Sequence, residues 1–262
     1  MNILVTGGTG FIGKSIIPLL QKEHTVLHPT HVELDLLSAV DVKKYFSENK
    51  IDAVIHAAVV GGKRNVEEHM SDMTQNLVMF KNLTLQMMGT KRPFINFGSG
   101  AEYYHNTYYA ASKREIYELG LRNPYYYHIR VFGCFGIHEE PQRFIKSALT
   151  NYINKQPIVI HGNKRMDFIY IDDLYIIIQN ILNGNLPSGE YNAVYDSDND
   201  LYELAQFING LDDYNVDIIV EDIKTIDYTC SESEETFNSY NFTGMFNGIK
   251  IMYNQMKENI NG

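Results

Sequence analysis

Cysteine is scarce in this chain. Cys134 and Cys230 are the only two in 262 residues, and they lie far apart with no metal-ligand spacing. No metal site is expected, and a reduced, cytoplasmic setting is the default. Basic residues are also short, 22 against 32 acidic ones. Nucleic acid and anionic membranes both require a basic face, so neither is expected as the main partner. A small anionic molecule stays open, because a few local cations or one helix N-terminus can hold it. No apolar run is long enough to span a bilayer. The opening "MNILVTGG" reads as a buried strand rather than a signal peptide. Internal repeats and low-complexity linkers are absent as well. What remains is 44% hydrophobic residues, enough for one large α/β domain or a domain with a smaller lobe.

Short apolar runs and helical patterns alternate along the first half. "NILVT" ends in glycines and reads as a buried parallel strand. "FIGKSIIPLLQKE" has helical spacing at Ile12, Ile16, Ile17, Leu19 and Leu20, with Pro18 expected to weaken its middle. "HTVLHP" and "VELDL" predict a second and a third strand, and "SAVDVKKYFSENK" a helix capped by Ser38. Further strands are expected at "IDAVIHAA", "PFINFGS" and "YYYHIRVFG", with helices at "MTQNLVMFKNLTLQMM" and "YYAASKREIYELGLR". This alternation predicts an α/β fold, a doubly wound parallel sheet. After Gly136 the rhythm loosens. "RFIKSALTNYINK", "DDLYIIIQNILNG", "NDLYELAQFING" and "MFNGIKIMYNQMKE" are helical, and "PIVIHG" and "FIYI" are short strands. This half predicts a smaller C-terminal α/β lobe, with "YTCSESEETFNSYN" as a surface loop or a short partner-binding segment.

The first strand runs into "TGGTGFIG". Gly7, Gly10 and Gly13 stand three apart, while Gly8, Gly10 and Gly13 also satisfy G-x-G-x-x-G. Glycines there permit a tight turn, bring the main chain against a pyrophosphate and let the next helix pack on the strand. That helix, opening at Phe11 and Ile12, points free N–H groups and its positive dipole end at the phosphates. Residues 1–140 are therefore expected to form a dinucleotide-binding domain, and 141–262 a substrate-binding lobe interleaved with the last sheet elements. An acid at the end of the second strand would favour NAD. "HPTHVE" instead places Thr30 and His31 there, with no arginine, which leans toward NADP(H) and leaves NAD(H) possible. Glu33 could still reach the ribose. Asp35 and Leu36 would sit near the adenine edge, and Asp35 reads equally as a turn residue at a helix entry. Ala57 and Ala58, after the strand-end His56, complete the expected cofactor set.

Farther on, "GSGAEYYHNTYYAASK" holds four tyrosines. Tyr109 and Lys113 are four apart and share a helix face. A hydride-transfer enzyme acting on an alcohol or ketone needs one acid/base within reach of the substrate oxygen. A free phenol, with a pKa of about 10, requires roughly 4 kcal/mol of differential stabilisation to titrate near neutrality. A lysine ammonium ~5 Å away supplies on the order of 3 kcal/mol at an effective dielectric of about 20. Ser99, at the end of the preceding strand, would orient the substrate oxygen. Tyr103, Tyr104 and Tyr108 have no such lysine and are expected to pack or to touch substrate.

"TGGTGFIG" together with "YAASK" resembles the short-chain dehydrogenase/reductase superfamily, extended type. The resemblance implies a catalytic set of Ser99, Tyr109 and Lys113, with Lys113 also on the cofactor. "HAA", Asn76, "RVFGCFG" and "MDFIYIDDL" match its nucleotide-sugar branch. "VELDL", "HAAVVGG" and the "GS..EY" pattern are similar to ketoreductases that finish deoxysugar nucleotides, the GDP-fucose synthase and dTDP-4-keto-rhamnose reductase families. The implied activity is NADPH-dependent reduction of a 4-keto nucleotide-diphospho-sugar. A 4-epimerase with tightly bound NAD is the enzymatic alternative, and a non-catalytic dinucleotide-binding partner protein the alternative from another class. The resemblance also implies a homodimer through the helices that carry Asn76 and Tyr109.

Departures from the family pattern narrow the activity. The 4,6-dehydratases carry an Asp-Glu pair where this chain has Gly100 and Ala101, so dehydration is not implied. Gly100 and Ala101 are expected to line the substrate instead. The cysteine used for 3,5-epimerisation is also Ala101 here, and His138 aligns poorly with the histidine that accompanies it. Only five residues separate Tyr103 from Tyr109, where relatives carry a longer segment over the sugar. The family's arginine before "DF" is Met166, which leaves Arg165, Lys164 and Arg143 as candidates for the substrate diphosphate. Asp172 and Asp173 are expected to cap the helix they open rather than bind metal.

Overall fold

Asn2–Thr6 (β1) is an apolar run in which Ile3, Leu4 and Val5 are fully buried, as a strand covered on both faces requires. In the computed structural model, which describes residues 1–62, 66–104, 106–195, 198–230, 237 and 240–261, nine further strands follow it. They are Thr25–Leu27 (β2), Ala53–His56 (β3), Phe94–Ser99 (β4), Tyr126–Val131 (β5), Cys134–Phe135 (β6), Ile158–Ile160 (β7), Ile169–Tyr170 (β8), Gly189–Ala193 (β9) and Ile218–Val220 (β10). The described helices are Phe11–Leu20 (α1), Ala39–Glu48 (α2), Met70–Met87 (α3), Ala101–Tyr104 (α4), Tyr108–Gly120 (α5), Phe144–Ile153 (α6), Ile171–Leu182 (α7), Leu201–Asn209 (α8) and Met245–Asn261 (α9).

Six strands form one sheet in the order β2-β1-β3-β4-β5-β9. Leu4 of β1 pairs in parallel with Leu27 on one side and Val54 on the other, and β3 runs parallel to β4. The chain leaves β1 to one side and returns on the other. That reversal opens a crevice at the C-terminal strand ends, the usual ligand position in such sheets. The doubly wound α/β fold expected from the alternation is therefore present. Ser38 caps α2 by accepting the Asp41 N–H, and α1 runs through Pro18 to Leu20.

The predicted strand at "VELDL" does not form. Glu33 Oε2 accepts the Thr30 N–H and hydroxyl at 2.7 and 2.8 Å, and Asp35 Oδ1 accepts the Leu37 N–H at 2.9 Å. Such local bonds hold the backbone in turns and compete with a sheet ladder. Leu34 and Leu36 are buried all the same, and Asn82 Nδ2 donates to the Leu36 carbonyl at 2.9 Å. The apolar alternation thus marked a turn sewn onto the core. Helix α4 and strands β6, β9 and β10 were not foreseen; all but β9 are four residues or shorter.

The chain divides into two compact units, 1–130 with 177–191, and 131–176 with 192–262. In the first, Phe80, Phe94 and Tyr126 form an aromatic trio with ring centroids 5.4, 5.8 and 6.1 Å apart. Leu4, Val54, Leu83, Met87 and Ile116 pack in the same cluster. In the second, β7 pairs with β10 and β6 with β8, both in parallel. Asp173, fully buried there, accepts the N–H groups of Thr243 and Gly244 at 2.8 and 3.0 Å and the Tyr195 hydroxyl. It thus holds the approach to α9 from the first turn of α7, where its charge also suits that helix's dipole. Asp172 stays exposed in the first turn of α7. No described helix is long and apolar enough to cross a membrane. Most of "SESEETFNSYN" (231–236, 238 and 239) lies outside the described residues.

Removing one ring of the trio leaves a cavity that its neighbours cannot close. Phe80→Ala is expected to cost about 3–5 kcal/mol, read by chemical denaturation. A loss below ~1 kcal/mol would mean that the three rings do not pack together.

Candidate active site

The glycine turn shows which of the two overlapping patterns matters. Gly7 is left-handed (φ +73°), and a Cβ there would lie 2.6 Å from the backbone of Ala57 and Ala58. At Gly13 a Cβ would fall 2.4 Å from the Gly7 carbonyl oxygen. Backbone blocks both positions, so only glycine fits. Gly10 donates its N–H to the Gly7 carbonyl at 3.0 Å and stands at the N-cap of α1 with no side chain over the helix end. A Cβ at Gly8 would meet only the movable tip of Ile17, at 3.0 Å, and His28 at 3.4 Å. Gly7 and Gly13 are glycine by steric necessity, and Gly10 leaves the helix start uncapped. The uncapped helix start and the glycine-rich turn fit a dinucleotide pyrophosphate, with Phe11 and Ile12 in the first turn.

Thr6 Oγ1 and His56 Nδ1 lie 2.8 Å apart at the ends of β1 and β3, and the Thr6 carbonyl accepts the Ala57 N–H. Burial, with the Lys113 charge adding to it, pushes the His56 imidazole down to about 3. A neutral His56 is a fixture of the sheet end rather than a base. Thr30 and His31 are exposed beyond β2, with His31 Nδ1 3.9 Å from Asp35 Oδ1. Leu36 faces the core cluster.

Thr107 caps α5 by accepting the Ala110 N–H, and the Tyr109 N–H donates to Glu68 Oε2 at 2.8 Å. One turn on, Lys113 is buried; its Nζ donates to the Phe97 carbonyl at 2.6 Å and lies 5.6 Å from the centroid of the Tyr109 ring. Burial lowers the Lys113 ammonium to about 8 against the raising effect of Glu102. Phe97 stands two residues before Ser99, so this bond ties the Tyr–Lys helix to the strand that ends in the serine. Ser99 is buried, and its Oγ accepts the Ala101 N–H at 3.2 Å, which starts α4; Gly100 and Ala101 are buried beside it.

The "HAAVVGG" loop sets the tyrosine ring. Asn76 Oδ1 accepts the Val60 N–H at 2.8 Å, and its Nδ2 donates to the Val60 carbonyl at 2.9 Å. Two residues later Gly62 is left-handed (φ +70°), and a Cβ there would fall 2.7 Å from Cε2 of Tyr109. The bare glycine lets the loop lie on the ring. Tyr103 and Tyr108 are exposed, and Tyr103 lies over the Arg130 guanidinium at 4.9 Å.

Arg143 and Arg165 belong to the second unit. Arg165 is held by Asp227, through both Nε and NH2, and by Asp198, each at 2.8 Å; Arg143 lies 3.5 Å from Glu139. Among the described residues no group of His, Cys, Asp or Glu could hold a metal ion.

Sequence reasoning missed Glu102, His128 and Arg130, a buried ionic cluster beside Ser99. Its signal was available: "YYYHIRV" is a central strand carrying a His and an Arg two apart, and an arginine buried on a strand demands an acid.

A glycine turn at the reversal of a parallel sheet and a buried Lys one helical turn from a Tyr define an α/β protein of the doubly wound class. The chain belongs to the NAD dependent epimerase/dehydratase family, which matches residues 3–193. GDP-L-colitose synthase from Yersinia pseudotuberculosis is 34% identical over 107 residues, 39% of this chain and 35% of that protein. The chain thus spans about a third of that relative's length in the match. CDP-abequose synthase from Salmonella muenchen is 26% identical over 218 residues, 73% of each chain. Among solved structures, the GDP-mannoheptose C4 reductase from Campylobacter jejuni with NADP bound has a TM-score of 0.78 at 19% identity over 98% of both chains, a likeness of fold.

Gly10→Ala separates fold from binding. A Cβ there would meet only the Gly7 carbonyl oxygen, at 3.3 Å, so stability should stay within ~1 kcal/mol of the parent. NADPH affinity, measured by fluorescence titration, should fall about tenfold or more, because the methyl stands where the pyrophosphate must approach. Unchanged affinity would remove this turn from the site.

Proposed function

We propose that this chain reduces the 4-keto group of a nucleotide-diphospho-sugar with NADPH, a step of deoxysugar biosynthesis. One observation carries the reading: Lys113 Nζ is fixed 5.6 Å from the Tyr109 ring by its bond to the strand that ends in Ser99. When bound, NADPH supplies the hydride to C4. Tyr109 gives the proton to the C4 oxygen, the Ser99 hydroxyl orients that oxygen, and Lys113 stabilises the phenolate left behind. Hydride and proton together convert the ketone to an alcohol.

Gly7, Gly10, Phe11, Ile12 and Gly13 would hold the pyrophosphate. Thr30, His31, Asp35 and Leu36 would border the adenosine, with Ala57, Ala58 and Lys113 nearer the nicotinamide end. NADP is preferred because one oxygen of Glu33, the acid that could reach a ribose hydroxyl, already serves both Thr30 donors. The NADP bound in the C4 reductase supports this choice, and the similarity to two nucleotide-sugar synthases supports a nucleotide-sugar substrate. Gly100 and Ala101 would border the sugar, and Arg143 and Arg165 are proposed for its diphosphate. A cytoplasmic homodimer through α3 and α5 completes the reading.

Tyr109→Phe is expected to keep NADPH binding and to cut turnover of a 4-keto nucleotide sugar more than about a hundredfold. Unchanged turnover would sink the assignment. Denaturing the purified protein and identifying released dinucleotide distinguishes the alternatives. Stoichiometric NAD would replace the reductase by a 4-epimerase, whereas an empty protein that prefers NADPH supports exchange at each turnover.

A further inference from the structure

Under the Ser99 turn lies a charge that the proposed reaction does not itself use. Glu102 is 7% exposed, and its Oε1 accepts the Ser99 N–H at 2.7 Å. Its Oε2 accepts from Arg130 Nε at 2.7 Å, and His128 Nε2 stands 3.1 Å from Oε1. Arg114, the neighbour of Lys113 on α5, donates to the Glu102 carbonyl at 2.9 Å. The cluster fits because residue 98 is glycine. A Cβ there would fall 2.2 Å from His128 Nε2 and 2.5 Å from Glu102 Oε1.

We propose that Glu102 is a positioning residue of this site: its carboxylate fixes the Ser99 turn and is the counter-charge that keeps the buried Lys113 an ammonium. This rests on Tyr109 and Lys113 being the proton-donating pair. Lys113 Nζ donates to the Phe97 carbonyl and Glu102 accepts the Ser99 N–H, so two buried, opposite charges hold the same strand end two residues apart. Each group facing the cluster has a defined charge. Burial alone would raise the Glu102 carboxyl, but hydrogen bonds from His128, Arg130 and the Ser99 N–H outweigh it and hold the group below the ordinary carboxylate range. On β5, burial lowers the His128 imidazole despite Glu102, and burial raises the Tyr126 phenol, so both are neutral near pH 7. Burial raises the Tyr117 phenol on α5 likewise, and His56 on β3 is neutral. Arg130 is also paired with Glu190 of β9 at 2.5 Å and lies against the Tyr103 and Tyr117 rings. With Glu190 on Arg130, Glu102 is the carboxylate that acts on Lys113, opposing the fall that burial causes.

The test is an NMR titration of lysine side chains in the free protein, with Lys113 assigned through Lys113→Arg. Glu102→Gln should lower the Lys113 midpoint by about one pH unit, and Glu102→Asp, which keeps the charge, should restore it to within ~0.3. The alkaline limb of the turnover profile should move to lower pH by the same amount in Glu102→Gln. Glu102→Asp should keep the parental profile but lose about tenfold in kcat, because its shorter reach releases the Ser99 turn. A Lys113 midpoint unmoved by Glu102→Gln overturns the proposal. Glu190 still holds Arg130 in that variant, so no cation is left unpaired. Should it fail to fold, Glu102→Met removes the same single charge with a side chain of similar length, and the midpoint must still fall. The titration needs no substrate. A parent protein inert toward every keto sugar would refute the proposed reaction while the titration still decides the role of Glu102.

Discussion

The hydrogen bond from Lys113 Nζ to the Phe97 carbonyl joins helix α5 to the end of strand β4 at 2.6 Å. An ammonium taken out of water is costly unless the protein supplies donors' partners and opposite charge. The surroundings of Lys113 read as the answer to that cost. The carbonyl accepts its hydrogen bond, Glu102 opposes the loss of its charge, and the Tyr109 ring lies beside it. Because that bond ties the lysine to β4, the tyrosine one turn earlier is placed relative to β4 and to Ser99.

Positions without side chains perform the complementary task. Gly7 and Gly13 let backbone touch backbone, Gly62 lets a loop rest on the Tyr109 ring, and Gly98 makes room for His128 and Glu102 to meet. Polar side chains then pin the same loops. Asn76 grips Val60 through both its carbonyl and its amide, and Asn82 holds the turn at Leu36. Each is buried, so each bond is formed away from competing water. The catalytic face proposed here is therefore built from close contacts between sheet ends and two helices, α3 and α5.

The second unit follows the same economy with different parts. Asp173 gathers two backbone N–H groups and a tyrosine hydroxyl to fasten the start of α9. Arg165 is shared by Asp198 and Asp227. A diphosphate at Arg165 would have to compete with those two carboxylates, whereas the contact of Arg143 with Glu139 is longer, at 3.5 Å.

Local pattern was enough to read the alternation of strand and helix, the Ser38 cap, the glycine turn and the Tyr109–Lys113 spacing. Each depends on residues within a few positions of one another, where periodicity and turn chemistry act directly. The same local reading failed at "VELDL", because apolar alternation marks burial and cannot say whether the backbone is paired. It left the glycine pattern double, since only the contact of Gly7 with Ala57 and Ala58 decides which glycine is obligatory. It also passed over Glu102, whose meaning lies in His128 and Arg130, 26 and 28 positions away. The sequence by itself determined the fold class and which residues could do chemistry. Tertiary structure alone decided which charges are buried together, because burial and pairing arise between distant segments only once the sheet has assembled.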